Sequence, residues 1–184
     1  GFVREICESA DVPNDCDRID LNRQLLVPGF VDIQVNGGGG IMVDGNTTVD
    51  SLTALAKAHR RFGTTAMLPT LITDDLTAMQ TTAEAIRSAI VQNMPGIVGI
   101  HFEGPLLNIK RKGIHNQDRI RPVDEDLMAL YQSDGLGVRI VTLAPETVPS
   151  GTIAALTKSG VRVCAGHTAG TYDDMQSALG EGLA

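Results

Sequence analysis

Tryptophan is absent and aromatic residues make up only 3% of the 184-residue chain, so the stacking platforms that bind single-stranded nucleic acid are missing. Basic residues are outnumbered, 15 Lys and Arg against 22 Asp and Glu, giving a net charge of −7. No basic stripe offsets that balance, which excludes a nucleic-acid or other polyanion-binding surface. A single small phosphorylated ligand, which needs only one local pocket, is not excluded. No apolar run approaches the ~18 residues that a membrane span requires. The N-terminal Gly1-Phe-Val-Arg4 lacks both Met and a signal-peptide layout, as if the sequence began partway into a strand. Cysteine is scarce too: Cys7, Cys16 and Cys164 form no C-x-x-C pair, which suits a reducing, cytoplasmic setting. Cys164, inside an apolar run, is expected to be a small core residue. Two nucleotide signatures are also missing: no G-x-G-x-x-G follows the first strand, and there is no G-x-x-x-x-G-K-[ST].

What is present is a β-α rhythm. Residues 1–25 are polar and irregular, with short extended pieces expected over Gly1–Cys7 and Asp17–Leu21. They suit part of a small β domain. Leu25–Gln34 is apolar on both faces, as a buried parallel strand is. It runs into Asn36 and Gly37–Gly40, a glycine run that either lets a ligand approach the backbone or serves as a flexible connector. Four more strands are expected, over Thr64–Leu71, Ile97–Phe102, Gly137–Leu143 and Val161–Ala165. Helical spacing fills Thr48–Phe62, where Gly63 supplies a stop, and a stretch capped by Asp74 or Asp75 that runs to about Asn93. Shorter helices follow to Gln132, around Gly151–Ser159 and over Tyr172–Leu183. Such alternation predicts an α/β fold with a parallel sheet covered by helices.

Polar clusters follow the strand ends: Gln34 and Asn36, Thr70 and Thr73, Glu103, Glu146, and His167. In a (β/α)8 TIM-type barrel these ends converge on one mouth. Only five βα units are visible, whereas eight take about 250 residues. The expectation is therefore an incomplete barrel over residues 26–184, preceded by a partial small β domain over 1–25. Glu103 and His167 occupy equivalent strand-end positions, and a carboxylate with an imidazole suits Zn²⁺ or Fe²⁺ better than a thiolate-seeking metal. The competing reading is ordinary: a salt-bridged Glu and a capping His. His59, within Lys57–Arg61, is expected to be solvated, as are Lys110, Arg111 and Lys112.

Five segments in order carry a resemblance. Pro28-Gly-Phe-Val-Asp-Ile-Gln-Val-Asn-Gly37 resembles the strand-one signature of the amidohydrolase superfamily. Together with His101-Phe-Glu-Gly-Pro-Leu-Leu-Asn108, Lys112-Gly-Ile-His-Asn116, Thr142-Leu-Ala-Pro-Glu146 and Ala165-Gly-His-Thr168, it is similar to the first half to two-thirds of the N-acetylglucosamine-6-phosphate deacetylases. That resemblance implies hydrolysis of the N-acetyl group of N-acetylglucosamine 6-phosphate, giving glucosamine 6-phosphate and acetate. It implies one divalent metal, zinc first and iron second, with Glu103 and His167 as ligands. It assigns the sugar contact to His115 and the backbone at Ile114. Many amidohydrolases carry His-x-His at the end of strand one and bind two metals. Gln34 and Asn36 stand there instead, so a single tightly held metal is expected, with these two, His101 and Asn116 behind the ligands. Glu146 is expected to play a structural or rim role. A third ligand and the general acid–base, a His and an Asp in the family, would fall after Ala184. The 184 residues alone are therefore expected to be inactive. A small phosphorylated amino sugar as partner, a homodimer for the complete protein and a cytoplasmic location complete the implication. The alternatives are another amidohydrolase-type amidase and a non-catalytic barrel fragment.

Overall fold

The computed structural model describes residues 3–184. Residues 3–29 form no strand; they hold one short 3-10 turn, Ser9–Asp11, in a nearly continuous exposed stretch. The extended pieces expected over Gly1–Cys7 and Asp17–Leu21 are thus not strands among the described residues, and Gly1 and Phe2 lie outside them.

β1 (Phe30–Val35) begins five residues later than the apolar run suggests. It leads into a small antiparallel hairpin, β2 (Gly37–Gly38) and β3 (Ile41–Met42). The glycine run is therefore not a free connector. A Cβ at Gly38 would lie 2.5 Å from His59 Nε2, so a larger residue there would displace the His59 side chain. Then follow α1 (Val49–Arg60), β4 (Thr64–Ile72), α2 (Leu76–Val91), β5 (Gly99–Glu103), α3 (Glu125–Gln132), β6 (Val138–Leu143), α4 (Thr152–Lys158), β7 (Arg162–Ala165) and α5 (Tyr172–Gly180). Thr48, Asp75, Asp124 and Thr171 start four of the helices by accepting a hydrogen bond from a first-turn backbone N–H.

The five longer strands pair in parallel, in the order β1-β4-β5-β6-β7. The βα crossovers between them lay helices against the sheet. Leu52 and Leu55 of α1, Met79 and Ile86 of α2, Leu127 and Tyr131 of α3, and Ile153 and Leu156 of α4 are buried in one core with Ile100, Phe102, Val141 and Val163. Phe102 packs on Tyr131, ring centroids 5.3 Å apart, so the even residues of β5 face the helices. His101 and Glu103 consequently face the other side of the sheet.

The edge strand departs from expectation. Phe30, Val31 and Ile33 are 68%, 67% and 54% exposed, because β1 pairs with β4 on one side and has no strand on its other side among the described residues. The architecture is a five-stranded parallel half-barrel sheet with a small antiparallel one beside it.

Candidate metal centre

β5 carries Glu103 to its C-terminal end, where Gly104 (φ +87°) turns the chain. A Cβ at Gly104 would stand 2.2 Å from Thr73 Oγ1, so the turn admits only glycine. The Tyr131 hydroxyl donates to the Gly104 carbonyl (3.0 Å) and fixes that turn from α3. β7 carries the chain to His167, two residues beyond the strand. The loop between β5 and α3, folded by two 3-10 turns, returns His115 to the same place. Glu103, His115 and His167 each offer one ligating atom, all within 4.8 Å of one another.

The two imidazoles differ in what they present. His167 Nδ1 lies 2.9 Å from the Arg111 carbonyl, which can only accept, so Nδ1 carries the proton. Its Nε2 then faces Glu103 Oε1, 3.0 Å away, with a lone pair. His115 is reversed. The backbone N–H of Thr73 donates to its Nδ1 (3.3 Å), with the Thr73 hydroxyl 2.8 Å from the same atom. With Nδ1 accepting from that N–H, the neutral His115 carries its proton on Nε2; in the other tautomer Nδ1 would donate to the Thr73 hydroxyl, which itself donates to the Glu103 carbonyl (3.3 Å). The Nε2–H faces Glu103 Oε1 from 3.7 Å, long for a hydrogen bond. The two rings meet edge to face, centroids 4.4 Å apart.

Glu103 is a buried carboxylate held ionised, its pKa lowered to about 2. The nearby His115 N–H contributes most, burial opposes it, and hydrogen bonds from Asn36 and from His167, whose Nε2 donates when the ring is protonated there as well, add to the lowering. Asn36 Nδ2 donates to Oε2 and to the Thr70 carbonyl, each at 3.4 Å. A carboxylate oxygen and an imidazole lone pair, facing each other with no thiolate in the cluster, suit a divalent ion of the zinc type. The lone pair on His167 stays pointed at that position because Arg111 holds the far side of the ring.

Of the expected residues, Glu103, His167, His115 and Asn36 are brought together. Ile114 is 87% exposed, at the rim beside His115. His101, whose Nδ1 donates to the Ile33 carbonyl (2.9 Å), has its Nε2 on the Thr142 hydroxyl (2.8 Å) and ties β1 to β6 below the cluster. Burial pushes its imidazole below the ordinary 6.5, against the Ile33 bond and the Glu103 charge, which raise it. Gln34 is exposed; its backbone N–H donates to Asp32, and it makes no hydrogen bond to the cluster. Asn116 caps the 3-10 turn beyond it by accepting from Asp118 N–H (3.0 Å). His59, expected in solvent, reaches the Gly37 carbonyl (3.1 Å). The parts of Thr73 and of the Arg111 carbonyl emerge only in three dimensions. Thr73 is visible in the sequence merely as a polar residue after a strand, and a carbonyl leaves no signal.

No family model matches the chain. It is 44% identical over 174 residues to the N-acetylgalactosamine-6-phosphate deacetylase of Shewanella sp. (strain ANA-3), covering 95% of this chain and 44% of that protein. It is 33% identical to the human N-acetylglucosamine-6-phosphate deacetylase, over 90% of this chain and 42% of the other. Among solved structures, it superposes on N-acetylglucosamine-6-phosphate deacetylase from Pasteurella multocida with a TM-score of 0.90 at 32% identity, covering 96% of this chain and 46% of that one. A mutant of the Mycobacterium smegmatis enzyme, solved in complex with N-acetyl-D-glucosamine 6-phosphate, matches with a TM-score of 0.76 at 32% identity, over 86% and 41% of the two chains. The chain thus spans less than half the length of these relatives.

Proposed function

We propose that this chain, similar over nearly its whole length to less than half of the N-acetylglucosamine- and N-acetylgalactosamine-6-phosphate deacetylases, belongs to an enzyme of that kind. Residues 26–184 supply the first five units of an eight-unit amidohydrolase barrel, and residues 1–25 part of a small β domain. The observation that carries the reading is the pair of facing acceptors, Glu103 Oε1 and His167 Nε2, at the open end of the sheet.

In this reading Glu103 and His167 hold one divalent ion, zinc before iron. When bound, such an ion supplies Lewis acidity, which makes water nucleophilic near neutral pH and polarises an amide carbonyl. Glu103 contributes a permanent negative charge, with Asn36 occupying its second oxygen. His167 is kept in one tautomer by Arg111. The His115 Nε2–H donates to an oxygen of the bound sugar and sets its register, with the Ile114 backbone alongside. The proton taken from the attacking water and delivered to the leaving amine belongs to an Asp that the resemblance places beyond Ala184. The whole protein converts N-acetylglucosamine 6-phosphate into glucosamine 6-phosphate and acetate, as a cytoplasmic homodimer. No helix among the described residues is long and apolar enough to cross a membrane.

A second reading places the galactosamine epimer in the site. The 44% relative carries that specificity in its name, against 33% for the human glucosamine enzyme. The test is acetate release by the whole protein from each 6-phosphorylated epimer, with and without a chelator. Turnover that a chelator abolishes and Zn²⁺ restores is expected, and the ratio of kcat/KM for the two epimers decides between them. No acetate from either sugar rejects both readings.

A further inference from the structure

We infer that Glu146 is a positioning residue for His167: its carboxylate draws Asn108, Thr168 and Ala169 into a bracket that holds His167 in the backbone conformation where Nε2 meets Glu103. The inference rests on the metal reading above and adds a residue to it.

His167 has φ +50°, in the left-handed region that non-glycine residues seldom occupy. Such a conformation persists only where the surroundings impose it. Its carbonyl accepts from the Asn108 backbone N–H (3.0 Å), and its ring is held by the Arg111 carbonyl. The two residues after it are held by Glu146, which sits in the 3-10 turn Pro145–Thr147 following β6. Oε1 accepts from the Ala169 N–H (2.7 Å) and from Asn108 Nδ2 (2.9 Å). Oε2 accepts from the Thr168 hydroxyl, whose own oxygen is engaged by the Gly170 N–H (2.8 Å), so its proton goes to Glu146. Asn108 joins both halves of the bracket, with its backbone on His167 and its side chain on Glu146.

Every partner of Glu146 is a donor. The position therefore demands a group that only accepts, an ionised carboxylate. Glutamine keeps one acceptor oxygen and replaces the other by an NH₂, so either a backbone or amide donor is opposed or the Thr168 hydroxyl must give up donating and accept. Both oxygens are engaged, and all three donors lie in the loops that flank His167, so Glu146 acts through the loop that carries His167. Burial raises the Glu146 pKa, but the bonds from Thr168, Ala169 and Asn108 together outweigh it and leave the value below 4.5.

Glu181 provides a matched control. It also accepts from three donors, Ser150, Gly151 and Ala154, but it braces the start of α4 and has no bond to the His167 loop. The experiment measures Zn²⁺ affinity in the whole protein, by competition with a chromophoric chelator, for Glu146→Gln, Thr168→Val, Glu181→Gln and Glu103→Gln. Glu146→Gln is expected to weaken Zn²⁺ binding about 10- to 100-fold, as removal of a supporting hydrogen-bond partner does at metal sites. Thr168→Val should weaken it less and Glu181→Gln not at all. Unchanged affinity in Glu146→Gln, beside a clear loss in Glu103→Gln, overturns the inference. If Glu146→Gln does not fold, Thr168→Val decides: unchanged affinity there overturns it equally. Unchanged affinity in Glu103→Gln refutes the metal site itself.

Discussion

His167 Nε2 stands 3.0 Å from Glu103 Oε1, and in the neutral imidazole neither atom carries a proton. Two acceptors in that relation call for a cation between them or for a proton shared by them. A site built this way gains stability from the metal it binds. Zn²⁺ at about 100 times its dissociation constant should stabilise the whole protein by about 2.7 kcal/mol, measured as an upward shift in melting temperature that a chelator reverses. Glu103→Gln should lose that increment. A zinc-induced shift of equal size in the variant would place the ion elsewhere.

His115 should behave differently, because it offers an N–H where His167 offers a lone pair. His115→Phe is expected to keep its metal content and to raise KM roughly 10-fold or more, the cost of one lost hydrogen bond in a buried site. Steady-state kinetics beside elemental analysis reads both effects. Loss of the metal in this variant would make His115 a third ligand and would reverse the tautomer assigned through Thr73.

The turn behind Glu103 is held by packing as well as by its glycine. Tyr131→Phe removes the hydroxyl that donates to the Gly104 carbonyl and leaves a buried acceptor unpaired. A loss of about 1 kcal/mol is expected, seen as a lower denaturation midpoint with an unchanged slope. Phe102→Ala, at a fully buried position against Tyr131, should cost about 3–5 kcal/mol. Equal losses in the two variants would argue against the packing described.

Glu146 predicts a pH dependence. Its folded-state pKa lies below the ordinary 4.5, so the unfolded chain binds the proton more readily. Its contribution to stability is therefore present above about pH 4.5 and is lost as the pH falls through the lower folded value. Denaturation midpoints of the wild type and of Glu146→Gln should differ at neutral pH and converge in acid. A difference that grows on acidification would contradict the sign.

The strands and helices were legible because local chemistry and burial agree: apolar runs became β4 to β7, and Asp75 became a cap. Glu103 and His167 were legible for a topological reason, since parallel strands bring their ends together. The 104–122 loop has no period, so nothing in it marked His115 as buried against Thr73 or Asn116 as a turn cap. Gly37–Gly40 hid a hairpin because glycine declares permitted backbone conformations without declaring partners. The exposure of Phe30, Val31 and Ile33 was invisible because an apolar strand looks alike with one neighbour or two. Glu146 stood in a recognisable motif, but its three donors come from two other loops.

The most direct measurement is the metal content of the purified whole protein, by elemental analysis, for the wild type, Glu103→Gln and His167→Gln. About one divalent ion per chain is expected in the wild type. Each variant should lose most of it, and deacetylation with it. Undiminished metal in either variant would contradict the assignment of Glu103 and His167 as its ligands.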